Sequence, residues 1–272
     1  ESAAASAPSY AIDLADIGGM YANRVALIGT EKGLGVNLQG QISGTQAISL
    51  DVNGNLKTAG NLYSDGSTSI RAAEIENHGL IYGGSSAVID AAALRNEANG
   101  RIYGDKIAIH SGHITNETDA ALQARLAKEM QVLKEREEQV EAAHQSILKQ
   151  DTQKRLRWGR NLSSIVRSYN QKISDAQAAY DAQQAIVEKT KTALAEKPAG
   201  VIAARKELTL SAESIKNSGS ALLYSGGDLS LTANEELKNH GARIEAQGNM
   251  TITAPVVRNE NAAFAAKRVV TE

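Results

Sequence analysis

The chain has 272 residues, enough to bury a substantial core, and its 29 basic and 31 acidic residues leave a net charge of −2, which excludes whole-chain electrostatic binding to nucleic acid or an anionic membrane. Aromatic residues make up 4% while Gly numbers 23, so the interior is built from small and aliphatic side chains rather than from Phe and Trp clusters. With no cysteine, a disulfide framework and a thiolate metal site are excluded as well.

Residues 1–9, ESAAASAPS, have neither a basic start nor an apolar stretch and read as a linker, and no run approaches the 18 apolar residues of a membrane span. From residue 10 to 118 the sequence is periodic. Gly40, Gly60, Gly79 and Gly100 open successive units 19 to 21 residues apart, with Gly19 opening an earlier one. GNLYSDGSTSIRAAEIEN, GLIYGGSSAVIDAAALRN and GRIYGDKIAIHSGHITN share one grammar: an early apolar residue, a short alternating segment, and a late apolar residue two before an Asn. Alternation with period two predicts strands with one buried face, and the Gly, Asn and Ser punctuation predicts about three short strands per unit. One unit is then one coil, which buries its inward residues only when coils stack about 4.8 Å apart.

Between residues 119 and 198 the glycines and the two-residue period give way to Ala, Gln, Glu, Lys and Leu, a helical composition. Thr118 or Asp119 can cap its start, and Pro198 with Gly200 closes it. Trp158-Gly159 lies at the midpoint, so the segment predicts two arms of about 35 to 38 residues, roughly 55 Å each. The second arm has a heptad seam at Leu162, Val166, Tyr169, Ile173, Ala176, Tyr180, Val187 and Leu194, with Gln183 and Thr190 as polar gaps. The first arm is weaker, with Leu122, Leu126, Met130, Leu133, Val140, Ile147 and Leu148, and with Glu137 and His144 on or beside the seam. An antiparallel coiled-coil hairpin, projecting from between neighbouring coils, satisfies the close entry and exit points. Around its tip Lys149, Lys154, Arg155, Arg157, Arg160, Arg167 and Lys172 face one acidic residue, Asp151. Lys154, Arg155, Arg157, Trp158, Arg160 and Arg167 are therefore the candidate partner-binding residues, since Trp among cations suits an acidic or aromatic partner. A solvated basic helix end explains the same charges, membrane-surface contact by Trp, Arg and Lys ranks below protein or glycan binding, and nucleic acid is not expected.

From 199 to 272 the units resume as GVIAARKELTLSAESIKN, GSALLYSGGDLSLTANEELKN and GARIEAQGNMTITAPVVRN. Stacking then aligns Ile75, Leu94, Ile114, Ile215, Leu237 and Val257 as an inward ladder, followed two residues later by Asn77, Asn96, Asn116, Asn217, Asn239 and Asn259 at the next corner. Stacked amides can hydrogen-bond along the axis, and turn geometry favours Asn there. Tyr63, Tyr82 and Tyr103 form a second, outward ladder, which serves either lateral stabilisation of the rungs or binding of a glycan or partner. The organisation is mainly β: a linker at 1–9, a parallel β-solenoid at 10–118 and 199–272, and a helical hairpin at 119–198.

The block Ile17-Gly18-Gly19-Met20-Tyr21-Ala22, continuing through NRVALIGTEKGLGVNLQG, resembles filamentous haemagglutinin-like exoproteins of two-partner secretion systems, and so do the following units. The resemblance covers roughly residues 10–118 and 200–262, and the hairpin departs from it. It implies a right-handed parallel β-helix at the surface of a Gram-negative bacterium, exported through an outer-membrane two-partner secretion transporter. Such stalks serve adhesion to a host or neighbouring-cell protein or glycan, or carry a toxin for contact-dependent inhibition.

A purely structural fibre with a non-binding hairpin and, more remotely, a carbohydrate-active β-helical enzyme are the competing readings. Against the enzyme, Asp51, Asp90 and Asp228 lie near strands in different coils, and no GxSxG, P-loop or dinucleotide motif occurs. His110 and His113 are three apart with no third ligand nearby, His78 and His240 follow corner asparagines, and neither a metal nor a cofactor is expected.

Overall fold

Aliphatic residues at every second position turn one strand face inward, and in this protein that face is covered by the same face of the next repeat. A computed structural model describes residues 10–14, 18–31, 33–154 and 162–261, with side chains described apart from those of 11, 14 and 146–166. The protein is mainly β with two helices. It divides into a β unit, Glu1–Asp119 with Lys197–Glu272, and a helical unit, Ala120–Glu196.

Before the helices the β unit contains β1 (Tyr10–Leu14), β2 (Gly19–Gly29), β3 (Gly35–Leu38), β4 (Gln41–Val52), β5 (Leu56–Thr58), β6 (Asn61–Ser64), β7 (Ser67–Asn77), β8 (Leu80–Glu97) and β9 (Arg101–Glu117). After them it continues with β10 (Val201–Ser218), β11 (Leu222–Ser225), β12 (Asp228–His240), β13 (Arg243–Ala246), β14 (Met250–Thr253) and β15 (Val256–Glu260). All described strand pairings are parallel and join each repeat to the next. The inward ladder is continuous: Ile75 pairs with Leu94, then Ile114, Ile215, Leu237 and Val257. Two further columns, Ile42-Leu62-Ile81-Ile102-Ile202-Leu223 and Leu50-Ile70-Ile89-Ile109-Leu210-Leu231, are buried to within 1%. Each such side chain contributes about 1.5–3 kcal/mol of hydrophobic stabilisation.

The stack crosses the helical segment without a break. β9 pairs with β10 from Arg101 to Asn116 with one register shift near Asp105, Ile107 with Leu208, Ile109 with Leu210 and Asn116 with Asn217, although Asn116 and Asn217 are 101 residues apart.

Two expectations are corrected. The central rungs are not three separate short strands, because β8, β9 and β10 run 18, 17 and 18 residues, turning the corners in extended backbone that stays bonded to the neighbouring rungs. Val257 occupies the inward ladder yet is 52% exposed, since it lies in the last described rung with one paired neighbour.

In the helical unit α1 (Ala120–Lys154) has 35 residues and α2 (Leu162–Ala195) has 34, roughly 50 Å each at 1.5 Å per residue. Asp119 precedes α1 directly; Thr118 belongs to the stack, buried, its hydroxyl accepting from the Ser220 amide at 3.1 Å. In α2, Tyr169, Ile173, Ala176, Tyr180, Gln183, Val187, Thr190 and Leu194 are all partly or fully buried, and the side chains of Leu162 and Val166 lie outside the described residues. In α1, Leu122, Leu126, Leu133 and Val140 are partly buried as expected, and the side chains of Ile147 and Leu148 lie outside the described residues. Met130, Glu137 and His144 are exposed, and Glu129, Arg136 and Ala143 are partly buried instead, because steps of four and three counted from Leu122 fall on them. Gln183 donates to the Glu129 carbonyl at 3.0 Å, and the Thr190 hydroxyl with Arg125 holds the Glu129 carboxyl below its usual range.

Candidate functional site

The corner asparagines form one hydrogen-bonded column. Each Nδ2 donates to the Oδ1 of the next: Asn77 to Asn96 at 2.7 Å, Asn96 to Asn116 at 2.8 Å, and Asn116 to Asn217, Asn217 to Asn239 and Asn239 to Asn259 each at 2.9 Å. The second Nδ2 hydrogen reaches main-chain carbonyls such as Leu222 O and Arg243 O. With both donors used in the interior, the column is scaffold and offers nothing to a ligand.

Tyr63, Tyr82 and Tyr103 are register neighbours on the outer surface. The Tyr63 and Tyr82 rings stack with centroids 4.7 Å apart and planes 11° apart. Faces stacked along the column cover one another, so edges and hydroxyls are what this pair presents outward. Tyr63 donates its hydroxyl to Asp65 at 3.0 Å, which raises the phenol pKa.

Among the tip residues, Lys154 ends α1 but its side chain, like Arg155, Arg157, Trp158 and Arg160, lies outside the described residues. Arg167 is exposed on α2, and one turn further Lys172 Nζ stands 5.8 Å from the Tyr169 ring centroid.

The most densely linked cluster was not singled out by sequence reasoning: it surrounds the root of the helical segment, within the β unit. Arg101 Nη1 donates to the carbonyls of Ala98 at 3.2 Å, Gly100 at 3.0 Å and Ala199 at 2.6 Å, fixing the returning chain just before β10. Glu117, 3% exposed, accepts from Lys216 at 2.6 Å and Ser218 at 3.2 Å, and its carbonyl accepts from Ala98 N and Gly200 N. Ala98 takes a left-handed backbone, φ 49°, to reach that carbonyl. Farther along the same seam Asp105 pairs with Lys206 and Arg205, which hold its carboxyl below the usual range, and Arg205 also reaches Gly84 O at 3.1 Å. The signal was available as opposite charges at equivalent places in the units on either side of the insertion: Asp105 with Arg205, Lys106 with Glu207.

Glu97 sits one rung below Glu117, its side chain 11% exposed. Burial first, then the neighbouring Glu117 carboxyl, raises its pKa. A carboxyl raised in the folded state contributes its full stability below the unfolded pKa and loses it as pH rises through the folded pKa. Glu97→Gln is therefore expected to raise the thermal midpoint at pH 7 and to leave it nearly unchanged at pH 4, which melting curves at the two pH values check.

The remaining polar candidates sit on the outside. Asp90 lies 3.6 Å from His110, and Ser211 follows in the same column, but the carboxylate and imidazole side chains are 43% and 56% exposed. His113 contacts Ser214 Oγ at 2.9 Å, His78 contacts Glu76, and His240 contacts Glu260. Asp51 and Asp228 are exposed. Among the described residues no group of three or more His, Asp or Glu could hold a metal ion, and no helix is long and apolar enough to cross a membrane.

A model of the haemagglutinin repeat matches residues 2–56, 41–127 and 174–254. Curated relatives include "Toxin CdiA" of Yersinia pestis, 38% identical over 78 residues, which is 28% of this chain and 2% of that protein. The "16S rRNA endonuclease CdiA" of Enterobacter cloacae is 42% identical over 74 residues, 27% of this chain and 2% of that protein. The "tRNA nuclease CdiA" of Yersinia mollaretii is 31% identical over 119 residues, 43% of this chain and 4% of that protein. The chain thus spans only 2 to 4% of the length of these relatives. No solved structure matches it.

Proposed function

The chain belongs to the haemagglutinin-repeat family, and from that premise we propose that it is a stalk segment of a secreted, surface-exposed adhesin or contact-dependent inhibition exoprotein of a Gram-negative bacterium. Residues 10–118 and 199–272 are two parts of one right-handed parallel β-helix, and 119–198 are an antiparallel coiled-coil hairpin inserted between neighbouring rungs. The observation that carries this is register: β9 pairs with β10 as closely as β8 pairs with β9, so the inserted segment leaves the repeats in step. The antiparallel sense is supported by contacts, since Glu129 early in α1 meets Gln183, whereas Val140 and Glu141 further along share a groove with Gln177 and Tyr180.

A stalk needs rigidity and a point of contact. The buried aliphatic columns and the asparagine column supply the first, and the basic tip with Trp158 is the candidate for the second, facing a protein or glycan of a host or neighbouring cell. An outer-membrane two-partner secretion transporter is the export partner. The nuclease activities in the relatives' names are theirs; the segment they share with this chain is repeat.

The test is Trp158→Ala combined with Arg157→Glu in the full chain. Binding to target cells is expected to fall about tenfold or more, as at an interface hot spot, with the thermal midpoint unchanged. Unaltered binding would leave the hairpin a spacer in a structural fibre.

A further inference from the structure

An open trough of about 860 Å³ runs along one side of the β unit, lined by Tyr10 and by the segments around Gly35, Leu56, Ile75, Leu94 and Thr115. These segments are register neighbours on six consecutive rungs, so the trough lies parallel to the stack and meets a new rung about every 4.8 Å. Ala73 and Ala93 keep it shallow and partly apolar. Lys57, Glu76 and Arg95 form one outward column along it, and Glu74 and His113 belong to another.

The charges along the trough cancel locally. Lys57 pairs with Glu76 at 3.2 Å, Glu76 with His78 at 2.7 Å, and Arg95 with Glu97 at 3.3 Å. Such a surface has no net field to select a polyanion or polycation. It does offer donors and acceptors at Lys57, Glu74, Glu76, Arg95 and His113 beside the methyl groups of Ala73 and Ala93, and exposed ion pairs of this kind are weak enough to share with a ligand. A pyranose ring has the complementary character, an apolar C–H face with a hydroxyl rim, and in an extended β-linked chain successive rings advance by nearly one rung. An extended peptide fits poorly. It advances about 3.3 Å per residue and falls out of step, and the main-chain groups of these rungs are already bonded to one another, which denies it strand addition.

We infer that this trough is a binding site for a linear, uncharged polysaccharide lying along the stack with one sugar per rung. It is separate from the hairpin tip and does not rest on the tip's role.

The test titrates the full chain with cello-oligosaccharides and chito-oligosaccharides of two to seven sugars, with a heparin hexasaccharide as the charged control. Affinity for one neutral series is expected to rise with each added sugar up to six and then level off, because six rungs line the trough. Ala73→Trp, at an exposed position, puts a large ring on the floor and is expected to weaken the neutral hexasaccharide about tenfold or more while the chain stays folded. Arg95→Ala, also exposed, is the second variant, expected to weaken it several-fold without bulk. Trp158→Ala is expected to change nothing here. Absence of binding by both neutral series, affinity independent of length, equal binding by heparin, or full affinity in both trough variants would each overturn the inference.

Discussion

Replacing Asn116 by alanine is expected to destabilise the β unit by about 3 kcal/mol, seen as a lower urea midpoint with an unchanged slope. Asn116 is fully buried, accepts from Asn96 at 2.8 Å, and donates to Asn217 Oδ1 at 2.9 Å and Leu222 O at 3.1 Å. Alanine removes all three bonds at once. Asn96 keeps carbonyl acceptors at Gly100 and Val201, but the Oδ1 of Asn217 loses its donor in a place water does not reach. The cost of a buried, unpaired polar group exceeds the net value of the bond that was lost. Asn259 supplies the control: it occupies the same column in the last described rung, is exposed, and its alanine variant is expected to cost less than about 1 kcal/mol because water replaces the lost amide.

Gly79→Ala is expected to be as damaging, about 3 kcal/mol or more, for a steric reason. A Cβ at residue 79 would stand 2.0 Å from Gly60 O and 2.7 Å from Ala59 C, which are backbone atoms of the adjacent rung and cannot swing aside. Gly60 is held the same way against Gly40 O, so relief at one corner is passed to the next. Gly29→Ala is the comparison. Its Cβ would meet Val52 at 3.4 Å, an ordinary contact, and the lower entropy of the unfolded chain can then make the change neutral or slightly stabilising. Thermal melts of the two variants should separate clearly, with hydrogen exchange in the Gly79 variant accelerated in the rungs on either side.

The ladders were legible in sequence because a stacked repeat writes its geometry once per turn. Gly79, Ile75 and Asn77 each recur at a fixed offset, and period-two alternation assigns inside and outside. The α2 seam was legible for a similar reason, with aromatic and aliphatic residues marking most of its positions. The α1 seam was legible only in part: Leu122, Leu126, Leu133 and Val140 mark it, but it also holds Glu129, Arg136 and Ala143 while apolar Met130 lies next to it, so hydropathy points one residue off there. Strand lengths were misjudged at the corners: Gly83 and Gly112 look like breaks, yet β8 and β9 run through them. The root cluster was hidden for another reason. Arg101 acts on main-chain carbonyls, which no side-chain pattern records, and Glu117 meets Lys216 only because the rungs on either side of the insertion are adjacent. The trough likewise exists only in three dimensions, made by what small residues leave unfilled on successive rungs.

Everything depends on β9 and β10 being true neighbours that would pair without the helices. Their ends support this, since Gly200 N donates to Glu117 O at 3.0 Å and a few residues would bridge the gap. Removing a long insertion also lowers the entropy of closing the chain there, worth about 2 kcal/mol in favour of the shorter protein. The decisive measurement is amide hydrogen exchange on a chain in which residues 120–197 are replaced by a short loop. Strong protection of Ile107 to Ile109 and Leu208 to Leu210, with one cooperative melt at or above the original temperature, is the expected result. Fast exchange along both strands, or two separate melting transitions, would mean that the two halves are independent and that the continuous stack is wrong.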